Sequence, residues 1–456
     1  MTALGARVVG RSSGRKPRPP AGAPLFRLTA LVAAVAVVIA TGYVVDAVSQ
    51  NEVGATAPQK PVPVATEFRQ SEALRLIASL EDVPARSASE NTLLGRLYLQ
   101  QGRYTGDIDL FRQADDVLAS ALEDFPTSAE ALTYQAVAAA SVHQFERSLS
   151  LAQQALTIDP SRLEAQLAAA DALEPLGDLD GAEAGVLGVA AVVGADPAVQ
   201  VRLARLAHLR GDDETALALA ADAELRASDL GGFAVDVAFY HAFRANLLLD
   251  NGLYDQAESV ARAAVLVSPD SGEARMVLAE VLMAQGDYAE ALRQVETSLD
   301  GGIAHPEDFA LLGDLHLKLG DVEEAQSFYS RVGEFEPGPV FSRQIASFYA
   351  DNDVNAADAL RLAEAELEVR KDIHGYDTYA WALYRNGRFS EARTASDAAL
   401  AFGTREAGLL YHAGLISAAL GEDDRAAAEL EEALSISPQF HPIQADNARA
   451  MLDQLG

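Results

Sequence analysis

The stretch ARMVLAEVLMAQGDYAEALRQVETSLDGGIAHP, residues 274–306, decides the fold. Leu278, Ala279 and Leu282 recur at the spacing that lays apolar side chains along one face of a helix. Gly286-Asp287-Tyr288 breaks the pattern, and Ala291, Leu292 and Val295 start it again. The reading is two amphipathic helices joined by a tight turn. Glycine suits the turn because the first helix ends in a left-handed conformation that residues with a Cβ resist. Alanine suits the second helix where two backbones come close.

The unit recurs along the chain. Gly177, Gly211, Gly252, Gly286, Gly320, Gly387 and Gly421 each stand five residues before an alanine: Ala182, Ala216, Ala257, Ala291, Ala325, Ala392 and Ala426. The steps between those alanines are 34, 41, 34, 34, 67 and 34, and the long step holds a further unit with Ala359 in phase. A fixed period of this kind means a stack of helical hairpins, each packed on its neighbours. It also explains how 456 residues fold without one oversized core. The units fall near 88–128, 129–162, 163–196, 197–237, 238–271, 272–305, 306–339, 340–372, 373–406 and 407–440. The first and fourth are about seven residues long in excess of the 34-residue period. In the first, the extra length falls in the second helix; in the fourth, Gly231-Gly232 marks a loop. In the eighth, Val354 stands where glycine is expected, and Pro337 and Pro339 crowd its start.

These residues resemble the tetratricopeptide repeat. First helices read Leu94-Gly95-x-x-Tyr98, Leu278-Ala279-x-x-Leu282, Leu312-Gly313-x-x-His316, Tyr379-Ala380-x-x-Leu383 and Ala413-Gly414-x-x-Ser417. The aromatic after the turn appears as Tyr104, Phe145, Tyr254, Tyr288 and Phe389. The late proline appears as Pro126, Pro160, Pro269, Pro337 and Pro438. The resemblance implies an all-α, right-handed superhelical solenoid of about ten repeats over residues 66–440. Residues 441–456 are expected to cap its exposed end, as solenoids require.

The N-terminus reads differently. Residues 1–24 are basic and rich in Gly, Ser and Pro, the composition of a disordered tail. Residues 25–46 contain an uncharged apolar run, 28–45, whose eighteen residues would span about 27 Å as a helix. It is read as a transmembrane signal-anchor, with the basic tail cytoplasmic and the repeats outside the cell membrane. The alternative is a cleaved signal peptide, with Ala47-Val48-Ser49 at the cleavage site, and a secreted or periplasmic protein. Residues 47–65, with Pro58, Pro61 and Pro63, form a linker.

Composition narrows the function. The chain has no cysteine, so thiolate metal sites and cysteine nucleophiles are excluded. Its net charge is −32, and residues 1–27 carry six basic and no acidic residues, which leaves −38 for the rest. Such a surface repels nucleic-acid phosphates. Glycine-rich phosphate loops, Gly-x-Ser-x-Gly and His-Glu-x-x-His are absent. The eight histidines include no pair at helical i, i+3 or i+4 spacing. No cofactor, metal or catalytic role is expected. Many acidic residues follow the turn glycines, among them Asp178, Asp212, Asp287, Asp321 and Glu422, where carboxylates cap free amides.

In the repeat family the first helices line a concave groove, through positions 2, 5, 9 and 12 of each unit. On that basis Glu273, Met276, Glu280, Asp314, Asp377, Trp381, Tyr384 and Tyr411 are candidate partner-binding residues. They describe a groove acidic in its middle and aromatic at its C-terminal end. Trp381 has two readings, a groove anchor or a side chain packed between adjacent helices. The places where some relatives clasp a peptide carboxylate hold Met276, Glu280, Ala310 and Asp314, so that clamp is missing. The expected function is a membrane-tethered, non-catalytic scaffold binding a protein or peptide with basic and apolar or aromatic residues.

Overall fold

The computed structural model describes residues 66–229, 234–300 and 302–456. The expected basic tail, transmembrane segment 25–46, linker 47–65 and Gly231-Gly232 loop lie outside the described residues. Among those described there are 22 helices and no strands, and no helix is long and apolar enough to cross a membrane.

Helix α1 (Thr66–Glu81) leads into ten hairpins. These are α2 (Ala88–Thr105) with α3 (Ile108–Asp124), α4 (Ala129–Ser141) with α5 (Phe145–Ile158), and α6 (Leu163–Leu173) with α7 (Leu179–Val193). Next come α8 (Pro197–Leu209) with α9 (Asp213–Asp229), α10 (Ala234–Asp250) with α11 (Tyr254–Val267), and α12 (Gly272–Gln285) with α13 (Tyr288–Leu299). The rest are α14 (Pro306–Leu319) with α15 (Val322–Val332), α16 (Ser342–Asp351) with α17 (Ala356–Val369), α18 (Ile373–Arg385) with α19 (Phe389–Ala399), and α20 (Ala407–Ala419) with α21 (Asp423–Ile436). Helix α22 (Gln444–Leu455) follows. Each helix packs chiefly on its sequence neighbours, and most even-numbered helices from α2 to α20 also touch the next even-numbered one.

The turn chemistry explains the period. The seven phased glycines have φ between 68° and 91°. At Gly286 the glycine N–H bonds to the Met283 carbonyl (3.0 Å) and the next N–H to that of Leu282 (2.9 Å), which satisfies carbonyls left free at the helix end. The phased alanines from Ala182 to Ala426 are at most 2% exposed. Asp178, Asp212 and Asp287 cap the helices that follow them. Asp321 and Glu422 make no side-chain cap, so capping absorbs only part of the acidity.

Two units solve the turn without glycine. His143 takes the left-handed position in the second, with φ 61°. In the eighth, Val354 is not the lapsed glycine. Asp353 holds the left-handed position (φ 52°), and Val354 N–H bonds to Tyr349 O as Asp287 does to Leu282 O. Asn355, at φ 48°, is an inserted residue. His, Asp and Asn are the non-glycine residues that best tolerate this region.

The stack coils until successive turns touch. His143 Nδ1 donates to Pro339 O at 2.7 Å, across 196 residues. Lys371 N–H donates to Pro175 O at 2.9 Å, across the same interval, about six 34-residue units. Tyr254 Oη lies 3.0 Å from Ser437 Oγ and accepts from Gln439 N–H at 2.8 Å. Val340 joins the core of the first hairpins with Leu97 and Val137, and Ile373 and Leu409 join that of α6–α8. The proline-rich start of the eighth unit is thus a docking point between turns. The result is a closed coil whose even-numbered helices face its axis.

Candidate functional site

Ion pairs cross the inner face of α6 and α8 in the first turn, around a cavity of only about 30 Å³. Arg202 and Arg205 on α8 make two-bond contacts to Asp171 on α6 (2.8 and 2.7 Å) and to Glu174, just past its end (2.7 and 2.8 Å). Both arginines are under 10% exposed. Arg370, from the second turn, closes the same region. It bonds to Asp372 at 2.7 Å, and its guanidinium stands 5.3 Å from the Phe145 ring. The inner face of the third unit is therefore already neutralised.

The second turn is hollow. Helices α14, α16, α18, α20 and α22 enclose a cavity of about 220 Å³. Its apolar wall is Leu311, Phe348, Trp381, Tyr411 and Phe440. Its polar wall carries five carboxylates, from Asp250, Glu307, Asp314, Asp351 and Glu406, against Arg343 and Arg385. This pairing of an apolar body with a few polar groups is the usual make-up of a binding cavity.

Each wall is fixed from behind. The Trp381 indole stacks on Tyr384 (4.7 Å) and His412 (4.2 Å), and the Arg385 guanidinium stands 4.4 Å from its centre. Its Nε1–H donates to Asp351 Oδ1 at 2.9 Å, which also accepts from Gln444 at 2.8 Å. Tyr329 Oη donates to Asp314 at 2.5 Å, and His441 Nε2 stands 3.3 Å from the other oxygen. Behind Trp381, His412 Nδ1 lies 3.0 Å from Asp377. Burial alone would lower the His412 pKa, but Asp377 and Asp351 outweigh it and lift it to about 9. Burial, with Asp308 beside it, pushes the Glu307 carboxyl up to about 8. Its Oε2 has no hydrogen-bond partner.

Of the eight candidate residues, Asp314, Trp381 and Tyr411 line this cavity. The other five do not. Glu280 is 4% exposed and Asp377 fully buried, so neither projects into an open groove. Trp381 (1% exposed) and Tyr411 (2%) are packed side chains that show the cavity only an edge. For Trp381 this is the packing reading. Tyr384 supports Trp381 from behind, and Met276 borders the core through α12. Glu273 sits inside the first turn, where burial raises its pKa to about 8 against the pull of Arg103. The expectation of one open groove fails because the coil is tight enough for opposite walls to meet.

Sequence reasoning overlooked Gln344, Phe348 and Asp351, which occupy positions 5, 9 and 12 of the eighth unit. Applying the same register to that irregular unit finds them. In the fourth unit, positions 9 and 12 give Arg205 and His208. Phe440 ends the last unit, outside the inner-face register, and His441 and Gln444 follow it, so the period carries no signal for them. Among the described residues no cluster of His, Asp and Glu is arranged to hold a metal ion.

Two family profiles match parts of the chain. Residues 244–308 and 379–439 match one tetratricopeptide repeat family profile, and residues 309–337 match another. The chain is an all-helical solenoid carrying tetratricopeptide repeats. Similar solved structures include the human IFIT1 dimer with PPP-AAAA, at 13% identity over 80% of this chain and 94% of that one, with a TM-score of 0.45. Yeast Tom70 is 13% identical over 85% of this chain and 96% of its own, with a TM-score of 0.33. A tetratricopeptide repeat protein from Parabacteroides merdae is 17% identical over 56% and 97%, with a TM-score of 0.34. No curated protein matches the chain.

Proposed function

We propose that this chain is a non-catalytic interaction scaffold that recognises a protein segment through the axial cavity of its second turn. The observation that carries the reading is the cavity's lining, where Asp314 and Asp351 stand with Trp381, Tyr411 and Phe440. Carboxylates against an aromatic wall select a segment with basic and apolar or aromatic side chains. The strongly acidic surface adds long-range attraction for such a partner and disfavours nucleic acid. The apolar run in residues 25–46 supports tethering to the cell membrane with the repeats outside. The small residues Ala47 and Ser49 support a second version, a cleaved exported protein that assists assembly of an exported complex. N-terminal sequencing separates them, since a mature chain starting near Gln50 has lost the anchor.

Binding is tested with fluorescent peptides that mix Arg with Phe and Leu, set against the same peptides with Glu for Arg. The full chain should prefer the basic set by about tenfold or more, and Asp314→Lys should remove that preference. Equal binding of the two sets overturns the reading.

A further inference from the structure

The cavity has a wall that the repeat pattern does not supply. Residues 437–447, which run from the end of α21 into the first turn of α22, pack on α20 and reach back to α14 and α16. Phe440 lies against Tyr411 with ring centres 5.7 Å apart. His441 Nε2 stands 3.3 Å from Asp314 on α14. Gln444 donates to Asp351 on α16 at 2.8 Å. The receiving residues are all inner-face residues, the surface assigned above to the partner.

We propose that residues 437–447 act as a tethered ligand of the chain's own inner face, and that the partner displaces them with a segment of like chemistry: an aromatic residue followed directly by a basic hydrogen-bond donor. This rests on the cavity being the partner site. The segment is built for the task. Pro438 and Pro442 flank Phe440-His441, and a residue before proline is held away from the helical region, so the segment stays short of helix until Gln444. His441 Nδ1 accepts from the backbone N–H groups of Ile443 and Gln444 (3.2 and 3.4 Å). That leaves the ring proton on Nε2, the atom facing Asp314. The near end is pinned, because Ser437 and Gln439 both engage Tyr254.

The far end is held by the apolar face of α22, where Ala445, Ala448, Met451, Leu452 and Leu455 pack on the core, and by a few polar contacts. Its polar tie to α14 is Lys318 with Asp446, 3.1 Å apart with side chains 23% and 62% exposed. Exposed pairs of this kind contribute about 0–1 kcal/mol. The segment is thus anchored at both ends, by Tyr254 and by the apolar face of α22, and what a partner would compete for is the set of contacts from Phe440, His441 and Gln444 between them. Capping of the last hairpin is carried by the apolar contacts of Ala445 and Ala448, both fully buried, with Met451, Leu452 and Leu455. The polar contacts to Asp314 and Asp351 are additional to that role.

The probe is a fluorescent peptide of residues 437–447, SPQFHPIQADN, titrated onto the full-length chain. Wild-type protein should bind it weakly, its own segment being in place. The Phe440→Ala/His441→Ala chain should bind it at least about tenfold more tightly, and adding Asp314→Asn should cancel the gain. Because truncating Phe440 also empties packed volume, a second pair leaves the cavity untouched. Lys318→Asp should raise peptide affinity and speed hydrogen exchange in α22, and Lys318→Asp/Asp446→Lys should return both towards wild type. Unchanged peptide affinity in both opened chains overturns the tethered-ligand proposal. If the basic peptide panel still outcompetes the acidic one in those chains, the cavity reading survives that failure. If neither wild-type nor opened chains distinguish the two panels, the cavity reading itself falls.

Discussion

The two turns of the coil use one repeat to build opposite interiors. In the first, α6 and α8 fill the axis with Arg202–Asp171 and Arg205–Glu174, and the charges neutralise one another. In the second, α14 to α20 place aromatic edges and carboxylates around empty space. The backbone hairpins are alike, so the difference lies in a few inner-face side chains. Where an arginine stands opposite each acid, the axis closes. Where aromatic edges and carboxylates line the axis with only Arg343 and Arg385 among them, it stays open. One turn is a structural spine and the other a chamber.

The largest expected effects strike each interior at its centre. Trp381→Ala should cost about 3–5 kcal/mol, seen as a lower urea midpoint, because it empties the volume of a large, fully buried side chain. Arg205→Ala should cost a similar 3–5 kcal/mol by leaving Glu174 buried and unpaired. The double change Arg205→Met/Glu174→Leu should recover most of that loss. If it does not, the spine is more than a neutralised pair and the contrast between turns must be redrawn.

A smaller effect tests the seam between the turns. A Cβ on Gly252 would stand 2.6 Å from Ile436 O, whereas one on Gly286 meets nothing within 4 Å. Both glycines are left-handed, so alanine at either should cost about 1–2 kcal/mol from conformation alone. Gly252→Ala should cost visibly more. Equal midpoints for the two variants would mean that the turns do not support one another.

A gentler test is pH. Glu307 is raised from 4.5 to about 8 and His412 from 6.5 to about 9. Both bind protons more tightly when folded. Their stabilising contributions are therefore full below 4.5 and 6.5 respectively, and are lost as pH rises through about 8 and about 9. Denaturation midpoints should fall from pH 5 to pH 9, and Glu307→Gln should flatten the part below pH 8. A midpoint that climbs over this range would contradict the burial assigned to the chamber. The smallest effect is expected outside both interiors. The Arg112–Asp109 pair has side chains 61% and 70% exposed, and Arg112→Ala should shift stability by less than about 0.5 kcal/mol.

The hairpins were legible because the forces that make them are local. A glycine that accepts positive φ, an alanine where helices touch and an apolar face every three or four residues all act within 34 residues. Even so, Val354 misled. What the turn requires is a left-handed residue rather than glycine as such, and Asp353 meets that need one place earlier. The candidate site was legible in part. Asp314, Trp381 and Tyr411 stood at the right register positions, and Asp351 stood at the same register in a unit whose irregular turn hid it. Glu280 and Asp377 held the same kind of position yet face packed neighbours, since register gives a direction and not what lies at the end of it.

The sequence by itself determined the repeat, the turn chemistry and the sign of the surface charge. Only the tertiary structure decided that the coil closes, that one interior is filled and the other hollow, and that residues 437–447 form a wall. The physical reason is accumulation. Each hairpin adds a small rotation to the next, and after about six of them residues some 196 positions apart meet, as His143 and Pro339 do. Those meetings depend on the sum of many small angles, which no single repeat spells out.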